Sequence, residues 1–174
     1  MICYTDGACS GNGSESAPGG FGVVVLDDDE NCITTYSKGC IGTTNNREEL
    51  KAILYTLIRY GKDERPIVYS DSAYAVNTFN NWMWSWANRG WLKSDNKEPE
   101  NLDLIQTYFD FYNNRGHRIE LRKCPGHAGL HWNEVADKLA VSAKDGAKEV
   151  SFKVLKFNEP NKNNTIIRKE TFNI

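Results

Sequence analysis

From residue 46 the apolar positions Leu50, Ile53, Leu54, Leu57 and Ile58 recur three and four residues apart, one stripe of an amphipathic helix that stops near Gly61. Upstream the period is different. Residues 2–5 and 20–26 are short apolar runs, the first leading into Asp6-Gly7 and the second into the acidic turn 27–30, and both predict strands. A third strand over 32–40 follows that turn closely enough to form a hairpin with the second. Downstream, strand-then-helix units alternate. Residues 67–69 predict a strand entered after Pro66, and 72–80 a helix that Asp71 or Ser72 can cap. A Trp-rich segment over 82–99 and a helix over 102–114 with apolar Leu102, Ile105, Phe109 and Tyr112 come next, then a strand over 119–123 and a helix over 132–144.

The last stretch, 147–174, alternates at Val150, Phe152 and Val154 and resumes at Thr165 to Ile167, which predicts a β-hairpin or a partly ordered tail. Its six Lys/Arg against three Glu give it a net charge of +3. The expected organisation is therefore one domain over 1–146 and an extension over 147–174. No internal repeat is visible.

Composition narrows the class. With 174 residues and 40% hydrophobic content the chain can close one core. Its 21 basic and 23 acidic residues make no global basic field, so a polyanion would have to be gripped by a local patch. Five cysteines, odd in number and without C-x-x-C spacing, fit thiols in a reducing compartment rather than disulfides or a zinc site. The apolar run from Phe21 to Leu26 is too short to span a bilayer. The expectation is a soluble cytoplasmic monomer with no membrane association and no obligatory protein partner.

The candidate chemistry lies in carboxylates. Asp6 is expected to end the first strand and Asp71 the fourth, so that two carboxylates meet at one rim if those strands are parallel neighbours. On the helical wheel Glu49 flanks the buried stripe, whereas Glu48 points away and is expected to be solvated. Asp137 lies in the first turns of the last helix, off the stripe of Trp132, Val135, Ala136 and Leu139. Crowded carboxylates repel unless a cation sits between them, and hard oxygen ligands suit Mg²⁺ or Mn²⁺. Two such ions roughly 3.5–4 Å apart serve in-line phosphodiester displacement, which is hydrolytic nuclease chemistry. An Asp after a strand is also a common cap, so spacing alone does not decide.

The motifs Tyr4-Thr5-Asp6-Gly7, Thr43-Thr44-Asn45-Asn46-Arg47-Glu48-Glu49-Leu50, Tyr69-Ser70-Asp71-Ser72 and Gly126-His127-Ala128-Gly129, the last followed by Asn133 and Asp137, resemble the type 1 ribonuclease H family. The resemblance runs in order over about residues 1–143 and includes Gly19-Gly20-Phe21-Gly22 and the segment of Trp82, Trp86 and Arg89-Gly90-Trp91. It implies an α/β fold, with a five-stranded mixed sheet of three antiparallel and then two parallel strands flanked by helices. It also implies an endonuclease that cuts the RNA strand of an RNA/DNA hybrid with two Mg²⁺ ions, Mn²⁺ being able to substitute. The metal-binding acids fall on Asp6, Glu49, Asp71 and Asp137, and His127 matches a loop histidine concerned with proton transfer or product release.

Asn12, Asn45 and Asn46 match contacts to the nucleic-acid backbone and minor groove, where an amide can read the 2′-OH. Thr44 resembles part of a phosphate-binding pocket and Cys9 a groove contact. The segment 82–99 resembles a substrate-handling protrusion, with Trp82, Trp86 and Trp91 as aromatic surfaces and Arg89, Lys93 and Lys97 as phosphate partners; packing is the alternative reading of the tryptophans. Two departures weaken the grip: the protrusion sets only three basic residues against Asp95 and Glu98, and Ala73 stands where relatives often carry an amide. The rival readings are a catalytically inactive hybrid-binding module and a DNA nuclease of related fold, and a ribonuclease H domain can also be part of a reverse transcriptase. The Met1 start just before strand one points to a free-standing protein.

Overall fold

A computed structural model describes residues 1–124 and 130–154, with side chains as far as Ala147. The order is β1 (Ile2–Cys9), β2 (Pro18–Leu26), β3 (Cys32–Ile41), α1 (Asn45–Tyr60), β4 (Ile67–Ser70), α2 (Ala73–Asn77), α3 (Met83–Asn88), α4 (Leu102–Phe109), β5 (Glu120–Lys123) and α5 (His131–Val154). One π-helical turn, Thr78–Trp82, joins α2 to α3, and another, Asp110–Asn114, continues α4. The sheet order is β3-β2-β1-β4-β5, antiparallel through the first three strands and parallel through β1-β4-β5. The expected five-stranded mixed sheet is thus the one observed.

Alternation along β2 separates two cores. Phe21, Val23 and Val25 belong to the large core with Leu50, Ile53, Leu54 and Leu57 of α1, while Val24 and Leu26 belong to a smaller one with Ala136 of α5. β2 is therefore buried on both faces, as its continuous apolar run requires. On the α5 side the helix rides on glycine. A Cβ added at Gly22 would meet the Ala136 carbonyl oxygen at 2.5 Å, and one at Gly39 the Ala143 carbonyl oxygen at 2.3 Å.

Four expectations are corrected. Asp6 does not end β1; the strand runs on to Cys9 against β2, and it is the parallel pairing with β4 that stops at Thr5 and Ser70. The helix entered at Asp71-Ser72 does not stop at 80 but continues to Asn88, because no Gly or Pro intervenes and the π turn absorbs the extra residue. Glu48 is not solvated but 1% exposed. Finally α5 runs on to Val154, where alternation predicts a strand. Ala140, Ala143, Ala147, Val150 and Val154 are spaced three and four apart, so the helical period continues through the same residues. Thr165 to Ile167 lie outside the described residues, and all five cysteines are free.

A candidate metal centre at the sheet rim

Asp6 and Asp71 stand one residue beyond the last parallel pair of β1 and β4, where two neighbouring strands stop sharing hydrogen bonds. Glu49 comes to them from the start of the second turn of α1. That approach depends on Gly7, since a Cβ there would lie 2.4 Å from the Glu49 backbone nitrogen and 2.7 Å from the Glu48 carbonyl carbon. One carboxylate oxygen from each of Asp6, Glu49 and Asp71 lies within 4.8 Å of the other two. Oε2 of Glu49 is buried without a hydrogen-bond partner, a costly arrangement for an anionic oxygen unless a cation completes it.

The electrostatics agree with that geometry. Burial, with the Asp71 charge and the Asp137 hydrogen bond adding to it, pushes the Asp6 carboxyl up to about 7, against the partial relief of hydrogen bonds from Glu49 and Gly7. Burial and then the Asp6 charge hold Glu49 well above the ordinary glutamate range. Carboxyl groups crowded and buried in this way are relieved by a hard divalent cation between them. The donor set therefore fits Mg²⁺ or Mn²⁺.

Asp137 is exposed on α5 and near enough to Asp6 to help raise its carboxyl. It joins the edge of the group without belonging to the close set of three. His127 lies outside the described residues. Asn133, named in the motif without a role, is buried in the first turn of α5; its Nδ2 donates to Asp71 Oδ2 at 3.4 Å, and its Oδ1 accepts from the Cys124 thiol at 3.6 Å.

Beside the acids, the expected substrate residues form a second group. Thr44 caps α1, its Oγ1 accepting from the Arg47 N–H at 3.1 Å, and Asn12 Oδ1 accepts from the Asn45 N–H at 2.7 Å. The Cys9 thiol donates to the Thr43 carbonyl at 3.4 Å. Asn12, Asn45 and Asn46 are exposed, whereas Thr44 and Cys9 are half-buried. The loop after β1 is thereby pinned to the start of α1, presenting one polar surface.

A third group continues from it. Arg47 forks onto Asp103 at 2.9 and 2.6 Å and reaches Asn101 Oδ1 at 3.4 Å; Asn101 Nδ2 in turn donates to the Tyr74 hydroxyl at 3.1 Å. Tyr74, Trp82 and Trp86 follow with ring centroids 6.4 and 6.0 Å apart. Trp82 is 42% exposed and Arg89 is exposed, so both can meet a ligand. Trp84 and Trp91 instead pack on Phe109, so the contacts of Trp91 favour its packing reading, and Lys93 lies near Asp95. The connecting residues Arg47 and Asn101 were missed in the sequence; the only local sign of Asn101 is its left-handed backbone, φ 59°, which no single-sequence pattern announces.

Glu48 was missed for another reason. Its Oε1 accepts from the Thr43 hydroxyl at 2.6 Å, the Cys40 thiol at 3.0 Å and Lys51 Nζ at 2.8 Å. The wheel sees only the face toward the main core, whereas Gly19 leaves room for a second approach: a Cβ there would meet Thr43 Cγ2 at 2.2 Å and Glu48 Cγ at 3.2 Å.

Comparison with known proteins places this arrangement. The RNase H family pattern matches residues 1–145. A ribonuclease H of Symbiobacterium thermophilum is 39% identical over 148 residues, covering 82% of this chain and 93% of the relative. Among solved structures, LC9-RNase H1, described as a type 1 RNase H with the type 2 active-site motif, is 33% identical with a TM-score of 0.70 over 84% of this chain and 72% of that one. LC11-RNase H1, solved in complex with RNA/DNA hybrid, is 27% identical with a TM-score of 0.60 over 84% of this chain and 97% of that one. By sequence pattern, by identity over most of its length and by fold, the chain belongs to the ribonuclease H family.

Proposed function

We propose that the chain is an endoribonuclease that hydrolyses the RNA strand of RNA/DNA hybrids at the rim formed by Asp6, Glu49, Asp71 and Asp137. The observation that carries the reading is the buried, unpartnered Glu49 Oε2 within a three-carboxylate group, in a chain of this family. Two Mg²⁺ ions bound there, or Mn²⁺ in their place, would supply an activated water and charge stabilisation at the leaving oxygen. Asp6, Glu49 and Asp71 would hold the ions, with Asp137 contributing from α5. The buried carboxylates would hold the ions in their ionised form, so binding would favour the pH range in which they lose their protons.

Recognition falls to the neighbouring groups. Asn12, Asn45 and Asn46 present amides suited to the 2′-OH and sugar edges that mark RNA. Thr44 and Cys9 line the same surface, and Trp82, Trp86 and Arg89 offer stacking and a phosphate partner some way along it. His127 would act in proton transfer or product release.

The same reading takes residues 1–146 as the ribonuclease H domain and 147–174 as an extension, which the family match over 1–145 supports. It takes the protein as a cytoplasmic monomer needing no protein partner. Among the described residues no helix is long and apolar enough to cross a membrane.

The test is cleavage of labelled RNA/DNA hybrid, duplex DNA and duplex RNA with Mg²⁺, Mn²⁺ or EDTA, for the wild type and Asp71→Asn. Metal-dependent cutting of RNA in the hybrid alone, abolished by the substitution, is expected. A wild type that binds hybrid without cutting it, or that cuts duplex DNA, overturns the reading.

A further inference from the structure

Asn133 reaches the rim from α5, yet it is neither a carboxylate nor exposed. At 9% exposure its amide has little access to water, and both of its ends are engaged: Nδ2 with Asp71 Oδ2 and Oδ1 with the Cys124 thiol. The two ends of an amide have nearly the same shape, so hydrogen-bond partners rather than sterics decide which way it faces. Here both partners select one orientation. A thiol donates to the oxygen on one side, and a carboxylate accepts from the nitrogen on the other.

Cys124 is itself tied to the strand that carries Asp71. Its backbone N–H donates to the Ser70 carbonyl at 2.9 Å, one further bond beyond the paired residues of β4 and β5. The thiol and the carboxylate therefore take their positions from the same strand end, and the amide spans the gap between them.

Resting on the reading of Asp71 as a metal ligand, we propose that Asn133 is a positioning residue for that carboxylate. Its NH₂ group holds Oδ2 and so fixes the orientation of the carboxylate at the rim, and the Cys124 thiol fixes the direction of the amide. A side chain held in this way loses no rotational freedom when the ion arrives. Groups that orient a metal ligand without touching the metal commonly change affinity or activity about 10–100-fold when removed.

The experiment is calorimetric titration of the full chain with Mn²⁺ in the absence of nucleic acid, together with separate kcat and KM values on a hybrid. Asn133→Ala should weaken Mn²⁺ binding by about 10-fold or more and lower kcat, with KM for the hybrid within about twofold of wild type. Cys124→Ser, which keeps a donor, should resemble wild type, whereas Cys124→Ala should lose affinity in the direction of Asn133→Ala. Wild-type Mn²⁺ affinity in Asn133→Ala overturns the proposal, and so does a rise in KM alone, which would make Asn133 a substrate contact. If Asn133→Ala does not fold, the cysteine pair decides: equal affinities for Cys124→Ser and Cys124→Ala overturn it. Asp71→Asn measured alongside separates the two levels. Unchanged affinity there overturns the metal-ligand reading itself, whereas a loss there with none in Asn133→Ala overturns the positioning role alone.

Discussion

Glu48 and Glu49 follow one another near the start of α1 and are both buried, yet Glu48 Oε1 is held by three donors while Glu49 Oε2 has none among the described residues. One peptide unit thus carries a carboxylate that is already satisfied and one that awaits a partner. The first stabilises the start of the helix, and the second serves the rim.

Removing either half of the satisfied pair should be severe. Lys51 and Glu48 are 7% and 1% exposed in their side chains, so Lys51→Ala leaves a buried charge without its counter-ion, a loss of about 3–5 kcal/mol. Replacing both with methionine should recover most of that stability, since a buried pair gains little over packed apolar side chains. Urea unfolding of the two single variants and the double one checks this. A double variant as unstable as the singles would show that the pair is not what holds the turn.

The pH dependence of the metal-free protein follows from the raised carboxyls. In the folded state Asp6 keeps its proton up to about 7, whereas its ordinary value is 3.8, and Glu49 is shifted the same way. Folding therefore takes up protons between those values, and stability falls as pH rises through that window. Melting in EDTA should drop from pH 5 to pH 8 by an amount equivalent to a few kcal/mol, with Asp6→Asn flattening the curve. Added Mg²⁺ should restore the melting temperature at pH 8 more than at pH 5, because the ion competes with those protons. A curve in EDTA that rises with pH would contradict the assignment.

Gly7→Ala tests the close approach of α1. With 2.4 Å between the new Cβ and the Glu49 nitrogen, the helix must retreat. Overpacking of this kind destabilises by about 1–3 kcal/mol, and displacing Glu49 should reduce kcat well beyond the stability loss. The check is activity at a temperature where circular dichroism shows the variant folded; full activity there would mean the helix start has slack.

The two neighbouring tryptophans should separate binding from packing. Trp82→Ala, at an exposed ring, should raise KM for the hybrid with little change in melting, a stacked base being worth roughly 1–3 kcal/mol. Trp84→Ala, whose ring meets Phe109 and Tyr112, should lower the melting temperature and leave KM near wild type. The opposite pattern would reverse which ring faces the substrate.

What a sequence reveals here depends on how local the cause is. The α1 stripe and the β2-β3 hairpin were legible because periodicity and turn residues act within a few positions, and the helical wheel could prefer Glu49 to Glu48, but grouping Asp6, Glu49 and Asp71 took the family resemblance. The burial of Glu48 was not, because it depends on Gly19, twenty-nine positions away, leaving a hole on the far side of a strand. Asn101 was invisible for a similar reason: Arg47 and Tyr74, its partners, come together only when α1, α2 and α4 pack. The last turns of α5 were misread because valine and phenylalanine at alternate positions favour a strand locally, and the alanine spacing upstream decides otherwise.

That same alanine spacing, seated on Gly20, Gly22 and Gly39, works like a ratchet whose teeth are backbone atoms. A helix held so close to a sheet cannot slide by one residue without driving a carbonyl into a strand. Asp137 lies inside that seam, between the Ala136 carbonyl on Gly22 and the Ala143 carbonyl on Gly39, so the same teeth that seat the helix set the height of the fourth carboxylate on the rim.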